Sequence, residues 1–519
     1  MTSSVPAAPA ASRAECVGGR GWAAAASAGL LAGAAYLLTL SAHYSSDGMA
    51  FARLTREGDL TAPLFFQAEH LLYPFVGWLF LRVLAPFGLS DPLLALQVLN
   101  ALGGAVAVSA YCWMALRLLP SATAAGAVTV ALAASYGWWY HSSDAEDQIL
   151  ANAGILIAVA ALVAARGPYL RGALPTGRGW AVVLGLAVAM LIHATSILMM
   201  PAVLLLFFRD ATRREAVVLG TLGALLVGVP YLGIGIGLHG HREVGAWQSW
   251  LLAAPAQGVW GRISPRNLWT GLQSLTAAAL WLPAPPTLAG VRALQPAALF
   301  SVAATAAMAA GLAAAAVAVF RSRDRLDGAL VLWAGVIAAF GAYWAPDDPQ
   351  FWLLVLPPLY LLAARRVPPA ALWVVALPLA LWNLGAGILP RHDPAMNAGL
   401  AATRCLSERL GANDLVITPG WDWAGDYLPY FTAVNVLSLN DAYVLAARGD
   451  RATFFEVVER RIAATRAAGG RVYLVRLDTL SEDDAAFFRR VTGLGPSDFP
   501  WRRVDAFLCG REVVREVLP

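Results

Sequence analysis

Long apolar stretches, separated by short polar runs that carry arginine, fill most of the chain. They lie at 22–42, 71–88, 93–118, 121–140, 148–165, 180–208, 215–238, 297–320, 327–343, 351–364 and 369–388. A run of about 20 apolar residues spans a hydrocarbon core, so the pattern predicts an all-α polytopic membrane protein of about 11 spans over 22–389. After about residue 390 the apolar runs shorten and charges become frequent. There NDLVIT and RVYLVR read as short buried strands, each preceded by a helical pattern, NAGLAATRCLSERL and FFEVVERRIAATRAAGG. Helix followed by strand, twice over, predicts a small α/β domain with a partly parallel sheet at 390–519.

Composition narrows the class. Of 519 residues 59% are hydrophobic and 13% charged, which excludes a disordered chain, a disulfide scaffold and an ordinary cytosolic enzyme. All 37 basic residues are arginine and sit in short runs, a loop pattern that gives no support to a nucleic-acid partner. Cys16, Cys112, Cys405 and Cys509 lack metal-ligand spacing. Cys405 and Cys509 share one domain and read as two small buried residues, with a disulfide left open if that domain is extracytoplasmic.

The arginines also set sidedness, because short arginine-rich loops stay in the cytoplasm. The runs Arg166/Arg171/Arg178, Arg209/Arg213/Arg214, Arg321/Arg323/Arg325 and Arg365/Arg366 are expected inside, together with an N-terminal tail at 1–21 that precedes an uncleaved signal anchor. This makes the chain an integral protein of the plasma or inner membrane, in contact with membrane lipids. Placing the first two runs on one side requires 180–208 to cross twice or to break, and LIHATS supplies the break. Arg82, in the middle of 71–88, suits a helix lying along the interface. The external face then collects loops 41–70 and 239–296, the acids Asp144, Glu146 and Asp147, His193, the pair Asp347 and Asp348, and the whole of 390–519.

That segregation of acids carries the chemistry. Asp47 follows the first apolar run and Glu69 and His70 precede the second. A carboxylate at a membrane surface can act as general base, although Asp is also a common helix cap. Arg242, Arg262 and Arg266, with His70 and His193, are candidates for phosphate, since arginine offers paired donors to phosphate oxygens. Glu146, Asp147, Asp347 and Asp348 are further candidate binding residues, while Asp347 and Asp348 between two prolines also suit a solvated turn. No GxGxxG, Walker motif or soluble-domain triad occurs in 390–519.

Asp47 with Phe51, the EGD at Glu57–Asp59, and Glu69–His70 before an aromatic helix resemble the first external loop of the GT-C glycosyltransferases. The likeness is to the protein mannosyltransferase and aminoarabinose transferase branch. It extends to Asp144/Glu146/Asp147, to LIHATS, to the long external loop, to YWAPDDPQFW and to a soluble C-terminal domain. Gly48 departs from the Asp-Glu pair usual in that loop. The resemblance implies a GT-C-like fold and an inverting transfer of sugar from a polyprenyl-phosphate donor to a glycan, lipid or protein acceptor on the extracytoplasmic face. It implies Asp47 as base, with Glu69 or Asp144 orienting acceptor or sugar. No motif demands a cofactor, and a divalent metal, though compatible with converging carboxylates, is not assigned. A transporter or flippase of lipid-linked sugars would instead show an internal repeat and facing charges at mid-membrane. A catalytically inactive assembly subunit is the third alternative, prompted by Gly48.

Overall fold

A computed structural model describes residues 18–518 apart from 63, 167–175, 208–212, 253–260, 262–263, 285–287, 323, 421, 442–450 and 481. Arg171, Arg209, Arg262, Arg323 and Cys16 therefore lie outside the described residues. The chain divides into two compact units. The first comprises Met1–Leu40, Asp59–Leu251 and Arg262–Pro390, the second Ser41–Gly58, Leu252–Gly261 and Arg391–Pro519.

The first unit is helical. Among the described residues seven helices are long and apolar enough to cross a membrane: Gly19–Leu38, Pro92–Leu118, Gln148–Ala165, Arg213–Leu238, Pro296–Ser322, Arg325–Trp344 and Pro369–His392. Shorter apolar helices accompany them, at Tyr73–Phe87, Ala122–Ala133, Gly179–Ile192, Ala194–Val203 and Pro349–Ala364. Small residues let these helices approach closely. A Cβ on Gly154 would stand 2.7 Å from the Gly185 carbonyl oxygen, and one on Gly185 the same distance from that of Gly154. Either substitution would push the two helices apart.

Arg82 lies over the Trp78 ring at 5.3 Å. At LIHATS the helix Thr176–Ile192 stops, and His193 caps a 3-10 helix at Ala194–Met199 by accepting from the Thr195 N–H. Asp324 caps the helix Arg325–Trp344 and pairs with Arg365, while the buried Asp327 receives both Arg365 and Arg366 and the Ser322 hydroxyl.

In the second unit five strands form a mixed sheet in the order β2-β1-β3-β5-β4. They are β1 (Leu415–Thr418), β2 (Asn435–Ser438), β3 (Val472–Val475), β4 (Arg503–Cys509) and β5 (Glu512–Val517). β1 is parallel to β2 and β3, and β5 is antiparallel to β3 and β4. Alternation sends Leu415, Ile417, Val472 and Leu474 to one face, where Phe454, Val458 and Phe488 of two helices cover them. Val416, Tyr473 and Val475 face the other way, onto Leu406 and Leu428. Cys405 and Cys509 are joined by a disulfide with Cα atoms 5.6 Å apart. This corrects their expectation as separate small buried residues: the helix Ala398–Arg409 packs beside β4, so residues 104 apart in sequence meet.

The helix Ser46–Glu57 belongs to this unit. Its cap is Ser45, whose hydroxyl accepts from the Gly48 N–H, so Asp47 does not cap it and lies exposed in the first turn.

Candidate functional site

The first unit gathers titratable side chains on four of its connections. The turn Asp144–Asp147, between the helices Tyr136–Ser143 and Gln148–Arg166, is buried although it carries three acids. Burying a polar turn requires hydrogen bonds for its backbone. Two positions one turn apart on Pro92–Leu118 supply them. Gln97 donates to the Ser143 carbonyl at 3.1 Å, and Asn100 donates to the carbonyls of Asp144, at 2.8 Å, and Glu146. The Tyr73 hydroxyl donates to the Ala145 carbonyl at 2.9 Å. With its backbone held from two helices, the turn presents its carboxylates in fixed positions.

Histidines answer these carboxylates. His70 Nδ1 donates to Asp147 Oδ2 at 2.5 Å, and His141 Nδ1 lies 3.2 Å from Glu146 Oε2. The rings of His70 and His193 meet edge to face with centroids 4.9 Å apart, and Phe351 meets the His193 ring edge to face at 6.2 Å. Asp348 caps the 3-10 helix Pro349–Val355 and completes the group, close enough to Glu146 and His141 for their charges to act on it.

The two outer carboxyls are driven apart. Burial, reinforced by the Glu146 charge, lifts Asp348 to about 7. Burial would lift Asp147 too, but the charges of His70 and His193 outweigh it and hold that carboxyl below its ordinary value. Neighbouring acids with opposed shifts can divide proton-accepting and charge-stabilising roles between them.

One ligand atom each from His70, Asp147 and His193 lie within 4.8 Å of one another, close enough to hold a divalent ion, and two imidazoles with a carboxylate suit zinc. The hydrogen bonds, however, already commit part of this set. His193 Nδ1 accepts from the Thr195 N–H, which leaves the ring proton on Nε2 in the neutral form, and Asp147 Oδ2 is taken by His70. As arranged, Asp147 is bonded to His70, and His193 is bonded to Thr195 and packs on the His70 ring.

The structure thus brings together His70, Asp144, Glu146, Asp147, His193 and Asp348 on the loops of one unit. Glu69 adjoins His70, half-buried, in the 3-10 helix Ala68–His70. Asp347 is exposed in the preceding turn, and Arg242 and Arg266 are exposed elsewhere on the first unit. Arg262 lies outside the described residues. Asp47 stands in the second unit, where it and Ser46, Arg53 and Asp422 act on the buried Asp426, whose carboxyl burial lifts to about 7.

Four participants were missed by sequence reasoning: His141, Gln97, Asn100 and Tyr73. Gln97 and Asn100 did offer a signal, as two amides three residues apart within an otherwise apolar helix. His141 was hidden in the aromatic run YGWWYH.

No model of a known protein family matches the chain, and no curated protein does. Solved structures do. The chain is similar to ArnT from Cupriavidus metallidurans bound to undecaprenyl phosphate, with a TM-score of 0.56 and 14% identity over 96% of this chain and 98% of that one. It is also similar to the Archaeoglobus fulgidus oligosaccharyltransferase in the apo form, with a TM-score of 0.51 and 13% identity over 90% of this chain and 71% of that one. The same oligosaccharyltransferase in complex with Zn and sulfate gives a TM-score of 0.50 and 12% identity over 89% and 70% of the two chains. Both proteins are GT-C glycosyltransferases, and the likeness establishes the GT-C membrane fold for this chain.

Proposed function

We propose that this protein transfers a sugar from a polyprenyl-phosphate donor to an acceptor on the extracytoplasmic face of the membrane, by inverting displacement. The observation that carries the proposal is the buried set of carboxylates and histidines on the loops of the first unit, in a fold shared with an ArnT that binds undecaprenyl phosphate. The Cys405–Cys509 disulfide supports an oxidising, extracytoplasmic location for the second unit.

The reaction makes two demands. The acceptor hydroxyl must lose its proton as it attacks the sugar, and the phosphate must leave with its electron pair. Asp47 is assigned the acceptor base on the resemblance of its loop alone. Within the first unit, Glu69 and Asp144 orient the sugar or acceptor, and Glu146 and Asp348 accept from sugar hydroxyls. His193 offers its Nε2–H to the departing phosphate, and His70, whose Nδ1–H is held by Asp147, offers its Nε2–H when the ring is protonated. Arg242 and Arg266 recruit the phosphate electrostatically from the exposed surface of the same unit.

The test compares wild type, Asp144→Asn and Asp47→Asn for transfer of radiolabelled sugar from membrane-extracted polyprenyl-phosphate donors. Wild type should transfer, and both variants should lose transfer while retaining donor binding. Movement of the intact lipid-linked sugar across vesicles without cleavage would make the protein a transporter instead.

A further inference from the structure

The α/β unit contains a polar cavity, and its place follows from the sheet. The chain runs from β1 outward to β2, then returns across β1 to reach β3 on its other side. The helix after β1, Trp423–Phe431, covers one face through Ala424 and Leu428, and the helix after β3, Glu482–Thr492, covers the other through Phe488. The connections leaving β1 and β3 therefore part at the carboxyl ends of the two strands. Such a divergence is where open α/β sheets form a binding crevice. Here it encloses a cavity of about 120 Å³, where one water needs roughly 10–15 Å³.

The walls come from the ends of all three parallel strands. Asp422 follows β1, Asn440 follows β2, and Arg476 and Asp484 follow β3, with Phe488 adding an apolar surface. Two polar atoms have capacity to spare. Asn440 is 2% exposed, and its Oδ1 accepts from the Asp441 N–H, but its Nδ2 has no hydrogen-bond partner among the described residues. Asp422, with a side chain 8% exposed, uses Oδ1 to accept from the Thr418 hydroxyl and the Gly425 N–H, while Oδ2 has no hydrogen bond and only Arg476 Nε at 3.7 Å. Leaving both groups buried and unsatisfied is costly unless something fills the space between them.

The backbone is also set unusually. Gly420 has φ +83°, and a Cβ there would fall 1.8 Å from Asn440 Oδ1. Arg476, a residue with a side chain, takes φ 67°. Strain of this kind persists where the surroundings hold it, and it concentrates at ligand sites.

The donor and acceptor inventory selects the ligand class. Anions are opposed by Asp422 and Asp484, and cations by Arg476 and the Asn440 amide. A hydroxyl both donates and accepts, so it can satisfy Asp422 Oδ2 and Asn440 Nδ2 together, and a neighbouring hydroxyl can reach Arg476. Phe488 suits the C–H face of a sugar ring. We propose that this cavity binds a neutral polyhydroxylated ligand, a monosaccharide unit or the end of a glycan chain, within the second unit. Binding there does not depend on the transfer reaction proposed above.

The experiment uses the full chain in lipid nanodiscs, free of sugar-based detergent, and follows glucose, galactose, mannose and arabinose by saturation-transfer NMR. At least one sugar should show saturable binding. Asn440→Ala and Arg476→Gln should each weaken it by about tenfold, and Gly420→Ala should weaken it through the displaced Asn440. Arg460→Gln, which breaks an exposed ion pair with Glu456 on the helix Arg451–Ala467, should leave it unchanged, which separates loss of this cavity from a general effect on the unit. Thermal unfolding of each variant identifies any that fails to fold, and the remaining variants then decide. The proposal is overturned if no sugar saturates, if binding survives undiminished in the folded variants, or if inorganic phosphate or magnesium alone occupies the cavity.

Discussion

The first unit buries two groups of acids and neutralises them differently. Asp327 lies between Arg365 and Arg366, with Asp324 adding a further carboxylate to Arg365. Asp147 and Glu146 face His70 and His141 instead. A guanidinium keeps its proton at any working pH, so the first group has one charge state and ties the helix Arg325–Trp344 to the end of the helix Leu356–Ala364. An imidazole titrates near neutrality, so the second group can take up or release protons and answer charge that develops beside it. Burial of an acid therefore does not by itself distinguish the two groups. The kind of cation set against it does.

The sharpest way to break the comparison is to neutralise one acid in each group. Asp147→Asn should cut sugar transfer by about 10- to 100-fold, the range of a lost orienting partner, with a smaller fall in thermal midpoint than Asp327→Asn because the imidazoles left behind can shed their protons. Asp327→Asn should do the reverse. It leaves two arginines facing each other without their shared carboxylate, at a cost of about 3–5 kcal/mol in stability, while the transfer rate per folded molecule holds. If both substitutions lowered midpoint and rate alike, the two groups would be one structural network.

A smaller effect sharpens the contrast through pH. Asp348 keeps its proton up to about pH 7 when folded but loses it near its ordinary 3.8 when unfolded. Between those values the folded protein binds more protons, so this group's contribution to stability declines as the pH rises across that window and is constant above it. Asp348→Asn should flatten this part of the midpoint-against-pH profile, and an unchanged profile would remove Asp348 from the titrating group.

Much of this was legible in the sequence because ionisable residues are rare in apolar chains. Asp144, Glu146, Asp147 and Asp348 stood out, and they meet on one unit's loops. LIHATS announced the break at His193 through a polar interruption of a long apolar run. The strands β1 and β3 were legible as short apolar runs flanked by turn residues. β2, with half-exposed residues, and the hairpin β4–β5, with arginines and acids along both strands, gave no such run. The pins at Gln97 and Asn100 escaped because their meaning lies in which backbone they reach, a tertiary fact. The Cys405–Cys509 bond escaped for the same reason, since separation along a chain says nothing of proximity.

That bond also has a bearing on biogenesis. Its first cysteine lies in the helix Ala398–Arg409, and its second ends β4, the strand before the last. β1, β2, β3 and the rest of β4 are therefore synthesised before the second sulfur exists, and the native geometry brings the two together when β4 is aligned beside the helix Ala398–Arg409. The crosslink acts as a seal applied to strands already made. A chain truncated before residue 509 would carry Cys405 as a lone thiol, a chemical flag by which an incomplete product could be told from a complete one.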